Sequence, residues 1–185
     1  MDKAEDPKVH GTSAACSLIF NGVLCYFFYT YAYNNPDSGE CWAIDGVSTP
    51  KPIETDGYTN VSNQFHLWFW WGFIINIMGL AMAVTQFCYA ATENSCFKCL
   101  NGLIGCPLGC GGLAWFIAGA ILRFRYVGTV CSGDDVTNGN YAAGVQYESG
   151  QFMYWYYLIT GIIMAVMLCC CCTCGCIMVA KGGHH

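Results

Sequence analysis

The stretch that decides the fold is "QFHLWFWWGFIINIMGLAMAVTQFCYAA", residues 64–91, which contains no Asp, Glu, Lys or Arg. An α-helix needs about 20 mainly apolar residues to cross the roughly 30 Å hydrocarbon core of a bilayer. Three further segments of similar length are almost free of charge, and they are residues 13–33, 103–124 and 151–176. The sequence therefore predicts an all-α membrane protein, a four-helix transmembrane bundle.

The composition also favours a membrane protein. Of the 185 residues, 55% are apolar and only 10% are charged, whereas soluble domains carry about 25% charged residues. The net charge of −5 is scattered and no basic block occurs, so we expect no nucleic-acid partner. The first apolar run is too long for the core of a signal peptide, and we expect it to remain as the first span.

The aromatic runs "YFFYTYAY", "FHLWFWW" and "FMYWYYL" mark one end of the first, second and fourth spans. Trp and Tyr prefer the membrane interface, and in four antiparallel spans these ends fall on one side. The sequence therefore predicts two outer loops, residues 34–63 and 125–150. It predicts the inner segments to be residues 1–12, 92–102 and 177–185.

The cysteines support this orientation. The outer loops contain two, Cys41 and Cys131, the number needed for one disulfide in an oxidising compartment. We expect these two to join the loops into a small disulfide-braced extracellular cap. Both termini are then cytoplasmic, in the plasma membrane or a secretory-pathway membrane.

The third span is rich in glycine, and small residues at such spacings let membrane helices approach closely. Pro107 is expected in the first turn of this helix, where its missing N–H costs little. The predicted packing residues are Gly105, Gly109, Gly112 and Gly119 on the third span, with Gly161 and Ala165 on the fourth.

Asn21 and Asn76 lie inside the first and second spans. Polar residues at such depth usually face protein and form hydrogen bonds, so we expect both to pair helices. The alternative is a pore, in which they would face water together with Thr85 and Gln86.

The segment "MLCCCCTCGCIMVAK", residues 167–181, ends the last span with six cysteines. Cysteines at the cytoplasmic end of a membrane helix are typical palmitoylation sites; the candidates are Cys169, Cys170, Cys171, Cys172, Cys174 and Cys176. Plain packing is one alternative. Others are zinc binding and thiol–quinone redox chemistry, which would involve Cys96 and Cys99, and for zinc also Cys106 and Cys110. We expect no metal.

A glycosylation sequon, "NVS", begins at Asn60 in the first outer loop, close to the second span. It marks Asn60 as a candidate glycosylation site, whose proximity to the second span disfavours occupancy.

The segment "GGLAWFIAGAILRF", residues 111–124, resembles the third span of a poorly characterised group of small four-span proteins, which carry Trp-Phe-Ile-x-Gly there. The overall plan is also similar to the broad tetraspan class of tetraspanins and claudins. However, the chain has neither Cys-Cys-Gly in an outer loop nor Gly-Leu-Trp-Cys-Cys. The resemblance implies a four-helix bundle and no known chemistry.

No Ser/His/Asp grouping or phosphate-binding loop can be placed in this sequence, so no catalytic residue is predicted. We expect a structural or organising membrane protein that self-associates laterally into oligomers or arrays. Its expected partners are membrane lipids and other copies of itself, with no cofactor. The alternatives are a pore or channel subunit and a membrane thiol oxidoreductase.

Overall fold

The computed structural model describes residues 7–34, 37, 39–92, 94–134 and 145–182, with side chains from Gly11 to Cys170 within those ranges. Four helical segments are long and apolar enough to cross a membrane, as in an integral multi-pass protein. They are Gly11–Asn34, Val61–Thr92, Ser95–Phe124 and Tyr147–Cys170. The prediction of four spanning helices is confirmed by length and composition.

Short elements connect the helices at one end of the bundle. In chain order the elements are α1 (Pro7–Asn34), β1 (Trp42–Ala43), β2 (Thr59–Asn60), α2 (Val61–Thr92), α3 (Ser95–Phe124), α4 (Tyr126–Cys131) and α5 (Tyr147–Gly182). The two strands pair antiparallel, with Trp42 opposite Asn60. We call the end of the bundle that carries β1, β2 and α4 the disulfide end, and the other the opposite end.

The residues of α2 that pack against α1 follow a seven-residue repeat. The buried positions of α2 that follow this repeat are Phe65, Phe69, Gly72, Asn76, Gly79 and Ala83, a spacing typical of helices packed side by side. A Cβ at Gly72 would meet the Phe28 ring, and a Cβ at Gly79 would meet the Asn21 amide. Large side chains of α1 thus fill the space above glycines of α2.

The start of α3 differs from the prediction. Residues 92–102 were expected to form a loop, but α2 continues to Thr92 and α3 already begins at Ser95. Asn94 caps the helix, since its side-chain oxygen accepts a hydrogen bond from Cys96 N at 3.0 Å. Pro107 consequently lies inside α3 and not in its first turn. Membrane helices tolerate an internal proline when neighbouring groups satisfy the freed backbone.

The core of the bundle is aromatic and lies towards the disulfide end. Phe28 is fully buried, and its ring centroid lies 5.3 Å from that of Trp68 and 5.4 Å from that of Trp115. The aromatic runs predicted as interface belts therefore also build the core. The reason is geometric, because only part of each run points away from the other helices; Tyr26, Trp71 and Trp155 do and are exposed.

The last helix is long and only partly packed. α5 has 36 residues, which corresponds to about 54 Å at 1.5 Å per residue. Near the disulfide end it buries Met153 and Tyr157. Every residue from Gly161 to Cys170 is exposed, so the other described helices cover little of this ten-residue stretch.

Candidate functional site

Cys41 and Cys131 join the segment after α1 to the end of α4. Their sulfur atoms lie at bonding distance, their Cα atoms are 5.9 Å apart, and both residues are fully buried. This is the pairing that the sequence predicted. A disulfide that connects residues so distant in sequence restricts the unfolded chain strongly.

Arg123 forms a buried ion pair beside the disulfide end. Its side chain is 1% exposed; Nη1 and Nη2 donate to the two carboxylate oxygens of Asp134 at 2.8 and 3.0 Å. Its Nε donates to the Gly150 carbonyl at 2.9 Å. One side chain thereby connects the end of α3 with the segment after α4 and the first turn of α5. The sequence analysis assigned no role to Arg123, because its position at the end of a span does not indicate burial.

The first turn of α5 is fixed to the segment after α1. The buried carboxylate of Asp37 accepts hydrogen bonds from Glu148 N and Ser149 N, both at 2.9 Å. An anion at a helix N-terminus is favoured by the unpaired N–H groups and the helix dipole. Gln146 adds a second connection, because its Nε2 donates to the Gly39 carbonyl at 3.0 Å.

Asn60 acts as a cap for α2. Its Oδ1 accepts hydrogen bonds from the Ser62 hydroxyl at 2.8 Å and from Asn63 N at 2.9 Å. The Ser62 oxygen also accepts from Cys41 N at 3.2 Å. The residues of the sequon thus have a structural role next to the disulfide, and Asn60 stays a candidate glycosylation site.

Two tryptophans, Trp68 of α2 and Trp115 of α3, pack against each other, and we call this contact the clasp. The indoles of Trp68 and Trp115 stack with centroids 4.7 Å apart and planes at 9°. Each indole N–H donates to the backbone carbonyl of the other tryptophan, at 3.3 and 2.9 Å. A glycine follows each tryptophan one turn later, and a Cβ at Gly72 or Gly119 would collide with the opposing indole.

The sequence signal for this clasp is a repeated pentapeptide. Residues 68–72 read "WFWWG" and residues 115–119 read "WFIAG", so both helices carry Trp-Phe-x-x-Gly. In antiparallel helices the glycine of one segment makes room for the tryptophan of the other. Sequence reasoning noted the second segment as a family resemblance and missed the first.

The predicted glycine stripe of α3 is only partly at a contact. Gly119 meets Trp68 and the Tyr157 hydroxyl, and a Cβ at Gly105 would lie 3.7 Å from the Met82 sulfur. Among the described residues, no atom of a neighbouring element lies within 4 Å of a Cβ placed at Gly109, Gly112 or Gly161. Ala165 is likewise exposed.

The expected packing of Gly109 and Gly112 against Gly161 of α5 is therefore wrong within one chain, whereas Gly119 does contact α5 through the Tyr157 hydroxyl. Tyr157 explains the separation, because its ring packs 4.8 Å from that of Phe116. Its hydroxyl donates to the Phe116 carbonyl at 2.7 Å. These bulky groups set the distance between the two helices at the disulfide end.

Three polar residues of the spans, Asn21, Asn76 and Thr85, are hydrogen-bonded inside the chain. Asn21 donates to the Ser17 carbonyl at 2.8 Å, and Asn76 to the Gly72 carbonyl at 2.7 Å. Both bonds stay within one helix, which corrects the expectation of bonds between helices. The Thr85 hydroxyl donates to the Asn101 side chain of α3.

A groove of 610 Å³ opens between α2 and α3. Leu67, Trp71 and Ile74 contribute to its α2 wall, and small residues such as Gly112 and Ala118 to its α3 wall. The clasp residues Trp68 and Trp115 also line it. We call it the α2/α3 groove.

The described cysteines of α3 and the end of α5 are exposed; they are Cys96, Cys99, Cys106, Cys110, Cys169 and Cys170. In the part of the chain that the structure describes, no three His, Cys, Asp or Glu side chains are placed to hold a metal ion. The side chains of the remaining lipidation candidates, Cys171, Cys172, Cys174 and Cys176, lie outside the described residues.

No protein-family model, curated protein or solved structure matches this chain. The four apolar helices are consistent with a tetraspan membrane protein. Neither the small four-span group nor any other specific family is supported.

Proposed function

We propose that this protein is a structural membrane protein that associates laterally with copies of itself. The observation that carries the proposal is the exposed stretch of α5, Gly161–Cys170. Successive residues of a helix point about 100° apart, so these residues present every face of the helix. At the disulfide end, by contrast, the backbone of α5 is hydrogen-bonded to Arg123 and Asp37, and its own Tyr157 donates to the Phe116 carbonyl of α3.

The exposed stretch of α5 carries small residues that a helix partner could use. Gly161 and Ala165 lie one turn apart; no described atom of a neighbouring helix lies within 4 Å of a Cβ built at Gly161, and Ala165 is exposed. Lipid tails are as apolar as the helix, so membrane helices associate through close packing at small residues and not through the hydrophobic effect. A second copy supplies the neighbouring backbone that this face lacks.

The pore alternative has less support. Asn21 packs against Gly79, Asn76 is bonded to its own helix and Thr85 is bonded to Asn101. These hydrogen bonds and contacts would have to be given up for the side chains to line water. A scaffold needs no such change.

The proposal is tested with Gly161→Leu combined with Ala165→Leu, and with Gly22→Leu as the matched control. Gly22 also has no neighbouring atom within 4 Å of a built Cβ, but it lies on α1. Single-molecule photobleaching in native membrane fragments counts the copies in each particle. We expect the double variant to fall to monomers and Gly22→Leu to keep the wild-type number. Equal numbers in all three forms, or ion flux through wild-type oligomers in liposomes, would contradict the scaffold.

We further propose that the disulfide end faces the extracellular or lumenal side and the six-cysteine segment the cytoplasm. A bond between Cys41 and Cys131 requires an oxidising compartment. Cys169 is exposed near the opposite end, and juxtamembrane cysteines are typical acceptors of acyl chains. In that reaction Sγ bonds to the carbonyl carbon of an acyl thioester, and the thiol of the donor leaves with the proton.

The mass of the C-terminal peptide, measured before and after treatment with hydroxylamine, tests the acylation. Hydroxylamine cleaves thioesters, so the mass of the C-terminal peptide should fall by one or more acyl groups. The control replaces the six cysteines with serine and should show no mass change. An unchanged wild-type mass would refute acylation, and stoichiometric zinc in the same sample would favour the metal alternative.

A further inference from the structure

The α2/α3 groove is an apolar recess that the chain leaves open. It extends along α2 from Gln64 to Met78, which corresponds to about 21 Å of helix. Leu67 and Trp71 on its rim are more than half exposed, at 55% and 53%. Its floor is rigid, because the stacked indoles of Trp68 and Trp115 are held by their two reciprocal hydrogen bonds.

The chemistry of the lining limits what can fill the groove. Apolar cavities stay dry and take up apolar ligands, and the two indole N–H groups of the floor are already bonded to carbonyls. Water is therefore a poor occupant. The volume of 610 Å³ lies within the range of roughly 300–1,000 Å³ of small-molecule sites.

A helix of a second copy does not suit the groove. A helix of about 10–12 Å diameter occupies on the order of 2,000 Å³ over the length of the groove, so only some of its side chains, and not the helix itself, could enter the 610 Å³. Depth gives a second argument. The groove begins near the first turn of α2 at the disulfide end, whereas the exposed part of α5, Gly161–Cys170, lies towards the opposite end. In a shared membrane the two would lie mainly in different leaflets.

We propose that the α2/α3 groove binds one hydrocarbon chain of a lipid from the leaflet at the disulfide end. The chain lies between the long side chains of α2 and the small residues of α3, such as Gly111 and Gly112. Gln64, which carries an exposed polar amide at the end of the groove, lies at the level of the lipid head group. This site is independent of lateral association, which we assign to α5.

Photolabelling tests the site in nanodiscs of phosphatidylcholine that contain a small fraction of the same lipid with a diazirine in one acyl chain. Gly112→Leu places a side chain in the groove. Gly109→Leu is the matched control, since it lies on the same helix, has equally open space and does not line the groove. Peptide mapping compares label on the groove with label on the exposed face of α1 at Ile19 and Phe20.

In the wild type we expect about tenfold more label on the groove than on α1, which corresponds to about 1.4 kcal/mol of preference. Gly112→Leu should reduce the label to the level of α1, and Gly109→Leu should not. Should Gly112→Leu fail to fold, Ala118→Leu serves instead, because Ala118 also lines the groove. Equal labelling of groove and α1 in the wild type would overturn the proposal, as would wild-type labelling of the groove-filling variants. Cross-linked dimers from benzoylphenylalanine at Leu67, without lipid adducts, would overturn it by showing that a second copy covers the groove.

Discussion

At the scale of single residues, Arg123 is the side chain that organises the disulfide end. A buried guanidinium is costly unless its donors are paired, and here Asp134 and the Gly150 carbonyl bind it from two different segments. Its neighbour Arg125 has the same charge in a different environment. Arg125 lies 3.3 Å from Asp45, and both side chains are more than half exposed.

We expect Arg123→Met to lower the free energy of unfolding by about 3 kcal/mol, the lower end of the range for breaking a buried ion pair, because Asp134 stays partly exposed. Arg125→Met should change it by at most about 1 kcal/mol, as exposed pairs contribute little. Both values are obtained from SDS titrations in mixed micelles. Similar losses for the two variants would show that the Arg123 contact is not a structural connection.

At the scale of helices, glycine spacing has two different meanings in this chain. On α2, Gly72 and Gly79 are one heptad apart, and Phe28 and Asn21, also one heptad apart, fill the space above them. On α3, Gly109 has no such neighbour. The glycines alone do not distinguish the two cases, because the difference lies in the large residues that face them.

Leucine substitutions separate these two meanings. Gly79→Leu should force Asn21 and the α1 backbone away from α2 and cost about 1–3 kcal/mol or more, as overpacking does in a tight core. Gly109→Leu should leave the melting temperature of the monomer within error, since its side chain enters open space. Thermal unfolding in detergent, followed by near-UV circular dichroism, measures both. Equal stability of both variants would show that α1 and α2 are not in close contact.

The elements also show what the sequence could and could not predict. The length of the charge-free segments was sufficient to predict the four spans, because the bilayer sets the length of a spanning helix. The pairing of Cys41 with Cys131 followed by elimination, because the predicted outer loops contain no other cysteine. The start of α3 was missed because Pro107 was taken as a helix-start signal, although Asn94 provides the cap. The Trp68–Trp115 clasp was missed because it depends on two segments at once. The preference of aromatic residues for the membrane interface concealed that part of each run faces the core.

At the scale of the whole molecule, the protein is braced at one end and open at the other. The connections of the disulfide end come from the Cys41–Cys131 bond, the Arg123–Asp134 pair and the Asp37 carboxylate at the start of α5. Near the opposite end, the residues of α5 from Gly161 to Cys169 are exposed. In the proposed lateral scaffold, the disulfide end is the rigid part, and the exposed stretch of α5 is the part that pairs with another copy.

The disulfide itself supplies the last prediction. It joins residues 90 apart in sequence, and replacing both cysteines with serine should reduce stability by about 2–4 kcal/mol, mainly through the freer unfolded chain. The hydrogen bond from Gln146 N to the Cys131 carbonyl, at 2.7 Å, should open more often in this variant. Hydrogen exchange followed by mass spectrometry should then show faster exchange around Gln146 and in the β1–β2 pair, while the peptide at Gly161–Cys170 keeps its rate. Faster exchange at Gly161–Cys170 would mean that the two halves of α5 are coupled, and unchanged exchange at Gln146 would mean that the other connections hold the disulfide end without the bond.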